Sequence, residues 1–497
     1  MRMEQLKNGL LIGLIFTSLV LTQQVWFAEP MRMFASEGSL MEEKRESLEQ
    51  ARQMVLRPRQ ITAGFGGGPE SSHYAILAPG DRDRFWIELL PLLEEHFLFD
   101  PEKETVSHEE YQRVLSGRCL EMTFAEGFPS ALLSTLFDRQ DNVIAGAVRQ
   151  IDRLLIPGRY QGTVYLIDEE ETVFAFTLAP HLLNHEVTPG ELLDSVPVNS
   201  YVKYYALFSY VENDVLLPLN HQHNVPRLFV ESEVDASSDS HMNQRAARFF
   251  NENFDFIKTI QETGGTRIYM YGYGQQEVRI TNLGRLEYAA ETGSQSSGSI
   301  TRSLDTALLF LMENNGVTPG LVLREIQSIT EGELRGHRFG FGYDLREVPV
   351  MLAREQHPVE IDVFGTSVKS YKTFVRRPMS LPEVLPDSGI QSPHRLIEEN
   401  FNFLLTEMET RRGEEMEPFR EEEASMGEEE REMQPVTGEE LLSAIQDIRL
   451  VYLDREETHR RQLLIPVWRI TIQTWMYDFD AHEGTLIQMT PLEKKDV

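Results

Sequence analysis

Three consecutive runs decide the fold class: Thr266-Arg-Ile-Tyr-Met-Tyr271, Glu277-Val-Arg-Ile-Thr281 and Leu286-Glu-Tyr-Ala289. They read as three short strands, and glycine-containing turns separate them. Asn282-Leu-Gly284 reads as a tight turn. Immediately upstream, His241 to Glu262 predicts a helix whose Phe249, Phe250, Phe254, Phe256, Ile257 and Ile260 line one apolar face. Gly264-Gly265 stops it. Downstream, a second helix over Ser303 to Met312 precedes alternating runs at Leu321 to Ile329, Arg335 to Tyr343, Val359 to Phe364 and Ser367 to Val375. Helices packed on a curved antiparallel sheet account for this order, so the fold class is α+β. The central domain is set at 233–380.

The pattern recurs in the C-terminal region, 381–497. A helix around His394 to Met408 runs into an acidic tract, Glu407 to Glu432, with twelve Glu and four Arg. That tract, within an insertion at 407–434, repels itself and buries little, so a solvated loop or extended helix is expected. Thr437 with Glu440 forms a capping box ahead of Leu441, Leu442 and Ile445. Asp447 to Leu453, Gln462 to Thr474 and Gly484 to Met489 then read as three strands. Helix followed by strands in both regions suggests that the second and third domains are divergent copies of one unit.

The region before them, 71–232, is mixed α and β. Asp81 to His96 predicts a helix that Pro91 should kink or divide. Helical patterns follow at His108 to Leu115 and Ser130 to Phe137, with strands at Arg118 to Phe124, Gly162 to Ile167, Thr172 to Leu178 and Val202 to Tyr210. Ahead of it, residues 28–70 read as a charged stalk ending in a flexible linker, Ala63-Gly-Phe-Gly-Gly-Gly-Pro69.

Residues 9–27 carry no charge, and Arg2 and Lys7 precede them. At about 1.5 Å per residue such a helix spans a hydrocarbon core of about 30 Å. Neither Ala28 nor Ala35 follows a small residue at the spacing a signal peptidase needs, so an uncleaved signal-anchor is expected. The positive-inside rule then leaves residues 1–8 in the cytoplasm and the bulk outside the cell membrane, crossing once. Gly9, Gly13 and Thr17 recur every four residues, and Gln24 lies two turns further on a similar face. Small residues let helices approach closely and a glutamine can hydrogen-bond across the contact, which marks a candidate partner-binding face.

Composition narrows the functions. The 497 residues carry 47 basic and 79 acidic side chains, a net charge of −32 and a pI near 4.8. Nucleic-acid binding needs the opposite balance. The single cysteine, Cys119, excludes an internal disulfide and a cysteine-based metal cage. His108-Glu109-Glu110 and His185-Glu186 lack the second histidine of a zincin, and Gly293 to Gly298 has the wrong spacing for a nucleophile elbow. His221-Gln-His223 could offer two imidazoles to a metal, although the surrounding asparagines and Pro226 favour a surface loop. Tyr201, Tyr204, Tyr205 and Tyr210 at strand spacing read as core and surface residues. No catalytic residue, metal or cofactor is expected.

Several segments carry a resemblance. Ser18-Leu-Val-Leu-Thr22-Gln-Gln-Val-Trp26, Gly284-Arg-Leu-Glu-Tyr288, Gly336-His-Arg-Phe-Gly-Phe-Gly-Tyr343 with Val348-Pro-Val350, Leu464-Ile-Pro-Val-Trp-Arg469 and Asp480-Ala-His-Glu-Gly484 resemble the YycH (WalH) family. The last two are also similar, more loosely, to PepSY-like hairpins. The resemblance implies a single-pass protein with a three-domain ectodomain, its latter two domains alike and related to the partner YycI. It also implies binding to the sensor histidine kinase WalK (YycG), which governs cell-wall metabolism in Gram-positive bacteria, largely through membrane helices. A non-catalytic regulator of that two-component system is therefore expected. An anchored cell-wall hydrolase or peptidase, or a module binding wall polymer, are the alternatives. The acidic tract at Glu407 to Glu432 departs from the family pattern as an insertion.

Overall fold

The computed structural model describes residues 44–492 apart from 68–72, 140–141, 184–187, 197–200, 205–214, 219–224, 292–295, 315–319, 355–356, 382, 385, 387–388 and 427–434. Two compact units divide the chain, Met1–Met54 and Val55–Val497. Of the first, residues 44–54 are described and are helical. Among the described residues no helix is long and apolar enough to cross a membrane. The expected anchor at 9–27, with Gly9, Gly13, Thr17 and Gln24, lies outside them.

The second unit contains three antiparallel-rich sheets, consistent with the α+β class. The N-terminal sheet holds β1 (Gln60–Phe65), β2 (His73–Ile76), β3 (Glu102–Val106), β4 (Arg118–Thr123), β5 (Arg153–Pro157), β6 (Thr163–Ile167), β7 (Val173–Thr177), β8 (Tyr201–Tyr204) and β9 (Leu216–Pro218). Its order is β3-β7-β6-β5-β4-β1-β2-β8-β9. The expected linker is corrected here, because Gln60–Phe65 is an interior strand between β4 and β2. Gly64 is there for close packing: a Cβ would stand 2.9 Å from Cys119 Sγ and 3.4 Å from the Tyr74 ring. Glycine inside a strand marks such an approach as often as it marks flexibility.

The accompanying helices are α1 (Pro79–Leu98), α2 (His108–Leu115), α3 (Ser130–Thr135), α4 (Val143–Ala147) and α5 (Pro189–Ser195). α1 passes through Pro91 undivided, against expectation. Pro91 lies on the exposed face, where water can satisfy the carbonyl it leaves without a donor. The opposite face buries Phe85, Trp86, Leu89, Leu92, Leu93 and Phe97 and holds the turns together. Trp86 meets Phe124 edge-on at 6.0 Å between ring centroids.

After β10 (Leu228–Ser232), the central region runs α6 (Asp239–Phe250), β11 (Lys258–Gln261), β12 (Arg267–Tyr271), β13 (Gln276–Ile280), β14 (Leu286–Ala290), α7 (Ile300–Glu313), β15 (Val322–Glu331), β16 (Leu334–Gly342), β17 (Asp344–Leu345), β18 (Val348–Leu352), β19 (Val359–Phe364), β20 (Ser367–Thr373) and β21 (Arg376–Pro378). The long helix expected over His241 to Glu262 ends at Phe250. A 3-10 turn follows, and Lys258–Gln261 pairs with β12 instead. The gain is four ladder partners for β12, at the cost of leaving Phe256 exposed.

The central sheet has order β11-β12-β13-β14-β20-β19-β16-β15. It is two four-stranded meanders, each led by a helix, joined through their last strands β14 and β20. At the join Tyr288 stands opposite Tyr371. Phe249 of α6 and Phe310 of α7 close over them, with Phe249 at 5.3 Å from Tyr288 and Phe310 at 5.4 Å from Tyr371. Phe249 stacks on Tyr288 at an interplanar angle of 27°, whereas Phe310 meets Tyr371 edge-on at 71°.

A third helix-led meander completes the chain. α8 (Pro393–Glu399), α9 (Phe401–Met426) and α10 (Gly438–Ser443) precede β22 (Ile445–Asp454), β23 (Gln462–Ile472), β24 (Trp475–Asp480) and β25 (Leu486–Pro491). It has four strands where three were expected, and part of the acidic tract lies in the extended helix α9. The capping box of Thr437 and Glu440 is present at α10. Leu396, Leu404 and Leu441 from the helices bury against Trp468, Ile470, Tyr477 and Phe479.

Candidate functional site

The residues screened for chemistry are placed as follows. Cys119 is buried in β4, where its Sγ faces the Leu115 carbonyl at 3.5 Å, and burial pushes the thiol well up, away from a reactive thiolate. His108 opens α2 and faces Gln112 Nε2 at 3.1 Å, with Glu109 exposed and Glu110 half-buried beside it. His221 and His223 lie outside the described residues, as do Tyr205 and Tyr210. Ser296 and Ser297 of the serine-rich turn serve the backbone: Ser296 Oγ accepts from Arg335 N at 3.0 Å, and Ser297 Oγ donates to Val363 O at 3.3 Å. Among the described residues no group of three or more His, Cys, Asp or Glu is arranged to hold a metal.

Deeply buried carboxylates of the C-terminal hairpins are each committed to an arginine. Asp478 takes Arg469 Nε at 2.7 Å and Nη2 at 2.8 Å. Asp480 takes Arg227 at 2.6 Å, and Glu456 takes Arg285. Asp454 takes Arg376 Nε at 2.6 Å and Nη2 at 3.2 Å, with both side chains 0% exposed. Bidentate pairs of this kind fix geometry. They leave those oxygens no free role as acid or base.

What these pairs do is join domains. Arg376 begins β21, from the central region, while Asp454 ends β22, from the C-terminal one. Arg376 also donates to Thr458 O at 2.6 Å and lies over the Phe374 ring at 4.4 Å. Its backbone N–H donates to Tyr343 Oη at 3.0 Å, and burial raises the phenol's pKa. Around this contact the C-terminal sheet draws in β10, β17, β18 and β21. β18 runs parallel to β22, with Val350 opposite Tyr452, and β10 pairs with the start of β23. The boundary near residue 380 is therefore not a clean separation, since strands on both sides of it share one sheet. His482 adds a clasp: its Nδ1 is 2.9 Å from Gly389 O and its Nε2 3.0 Å from Val225 O.

A second junction joins the N-terminal domain to the edge strand β15. Glu126 N donates to Arg324 O at 2.9 Å, and Ile326 N to Glu126 O at 2.8 Å. Arg57 pairs with Asp83 and donates to Leu321 O at 3.1 Å. On β15 the Glu325 carboxylate accepts from His357 Nε2 at 2.7 Å and from Gln327 at 2.7 Å. The bond from His357 above all, against an opposing burial effect, holds Glu325 below the usual glutamate range. Gly340 in β16 makes room for this, because a Cβ there would lie 2.4 Å from the His357 ring. The Gly-x-x-x-Gly-x-Gly run of β16 is thus a packing device. Its glycines were visible in the sequence, but the ring that needs the space was not.

Residues 4–185 match the family model described as YycH protein, N-terminal domain. That stretch is similar to the N-terminal domain of the YycH family. The YycH N-terminal domain takes in the whole 9–27 segment and the sheet as far as β7. It also covers the β1 strand that the composition alone disguised as a linker. No curated protein matches the chain significantly. Two solved structures are similar over about half of it. One is an uncharacterized protein from Eubacterium rectale ATCC 33656, 11% identical, covering 53% of this chain and 86% of that one with a TM-score of 0.34. The other is the YpeB C-terminal domain of Bacillus megaterium, 14% identical, covering 52% of this chain and 98% of that one with a TM-score of 0.23.

Proposed function

We propose that this protein is a membrane-anchored extracytoplasmic regulator, without chemistry of its own, of a WalK (YycG)-type sensor histidine kinase controlling cell-wall homeostasis. The observation that carries the reading is the YycH N-terminal domain match over residues 4–185, which includes the apolar segment 9–27. The commitment of buried C-terminal carboxylates to arginine pairs supports a body built to be rigid and to bind. It counts against the anchored hydrolase. A YycI-like protein is the second partner.

A partner shifts a two-state kinase only by binding one state more tightly, a differential of about 1–3 kcal/mol in typical couplings. The face assigned to that contact is Gly9, Gly13, Thr17 and Gln24 of the membrane helix, with the ectodomain tuning it. Replacing Gly13 with Ile puts a branched side chain where the helices approach. The expected outcome is weaker co-purification with the kinase while membrane insertion is unchanged. Undiminished co-purification would reject this face.

A further inference from the structure

In a chain of net charge −32, one place gathers arginines. Arg57 and Arg59, just ahead of β1, and Arg82 on α1 come from the N-terminal domain. Arg324 on β15 comes from the central region and Arg449 on β22 from the C-terminal one. Asp83 is shared by Arg57 and by Arg82 Nε at 3.0 Å. Asp344 takes Arg324 Nη2 at 3.3 Å and faces Arg82 Nη2 at 3.6 Å. Asp447 pairs with Arg449. Five guanidiniums thus share three paired carboxylates. The remaining neighbour, Asp152, accepts from Arg153 Nε at 3.0 Å.

The shortfall falls on identifiable atoms. Among the described residues the Arg59 guanidinium makes no hydrogen bond and no ion pair; Arg449 and Arg324 stand near it, as do the carboxylates of Asp152 and Asp447, which are committed to Arg153 and Arg449. Arg57 Nε has no hydrogen-bond acceptor, and Arg82 Nη2, on a side chain 4% exposed, makes no hydrogen bond but stands 3.6 Å from Asp344 Oδ2, which is itself without a donor. Burial, with Arg449, Arg82 and Arg59 adding their repulsion against Asp344, lowers the Arg324 guanidinium to about 10. At neutral pH it is still charged, so the repulsion is unrelieved. Arg59 is half-buried and the Arg449 side chain 42% exposed, which opens this cluster to solvent at those two residues.

We propose that a phosphate-class oxyanion binds between Arg59, Arg82, Arg324 and Arg449, at the meeting point of the three domains. The four guanidiniums are carried by separate stretches of chain, Arg82 and Arg324 meeting at Asp344. A tetrahedral anion offers oxygens to several of them at once, whereas a carboxylate accepts in one plane. Because the ligand draws on all three domains, its occupancy selects the arrangement in which they are held together. The inference stands independently of the kinase reading.

The test uses the full-length protein in detergent micelles, with inorganic phosphate as the probe against chloride at matched ionic strength. Phosphate is expected to raise the unfolding temperature with a saturable dependence. Arg59→Gln is expected to abolish that response without lowering the unliganded unfolding temperature, since it removes one of the mutually repelling cations and, among the described residues, no hydrogen bond of the guanidinium. Equal effects of phosphate and chloride, or a wild-type phosphate response in R59Q, would overturn the proposal. Competition with phosphatidylglycerol vesicles then separates the sources. Displacement of phosphate identifies a diester headgroup as ligand, and no displacement identifies a free phosphate.

Discussion

At Arg376 and Asp454 two fully buried charges face each other, and removing one partner differs from removing both. Asp454→Asn leaves a guanidinium without its counter-charge in a dry site, which costs about 3–5 kcal/mol. Replacing the pair together, Arg376→Met with Asp454→Leu, is expected to cost much less, because no uncompensated charge remains. Urea midpoints of the single and double variants measure both. His337 gives a pH test. Burial lowers its pKa below the ordinary 6.5, and its Nδ1 stands 3.0 Å from Ser303 Oγ. The unfolded chain therefore binds more protons in the window just below 6.5. Stability from this residue is complete above that pH and is lost as pH falls through the window. His337→Gln is expected to flatten that acid limb, read from denaturation midpoints at about pH 7.5 and about pH 5.5. Neither pairing could be read from the sequence, where 79 acidic residues make every arginine appear to have partners. Only the fold shows which two are sealed off together.

Among the elements, β16 tests the packing argument. Gly340→Ala pushes a methyl group into the His357 ring and should separate it from Glu325, costing about 1–3 kcal/mol for overpacking. Hydrogen exchange along β15 is expected to rise first, because Glu325 sits in the strand that carries the junction to Glu126. Unchanged protection of β15 would mean that the His357 contact does not support it. Strands with clean alternation were legible, Val359–Phe364 to the residue, and so was the capping box at Thr437. Elements were missed where a local signal was overridden from a distance. Gly64 looked like linker because Cys119, 55 residues away, supplies the reason for a glycine. Pro91 looked like a break because the buried face opposite it was not yet known to be buried. Strand β11 is the exception, missed although its partner β12 is the next strand, because Ile257 and Ile260 continue the apolar spacing of the helix before it.

The whole molecule is a N-terminal sheet followed by three helix-led meanders, the first two sharing a sheet through β14 and β20. The expectation of one repeated unit in each of two domains differs from the three helix-led meanders present, and it gave no sign of their interlocking, because β10, β18 and β21 leave the central region in sequence to join the C-terminal sheet. Such exchange has no periodicity to read. The candidate regulatory face, Gly9, Gly13, Thr17 and Gln24, is a reading of the sequence alone, since those residues fall outside the described ones. The central claim, regulation through that helix, is tested most directly by in-cell photo-crosslinking from position 13 or 17, followed by mass spectrometry of the captured protein. The account predicts recovery of a sensor histidine kinase or a YycI-like protein. Lipid adducts alone, from a protein that is expressed and inserted, would contradict it.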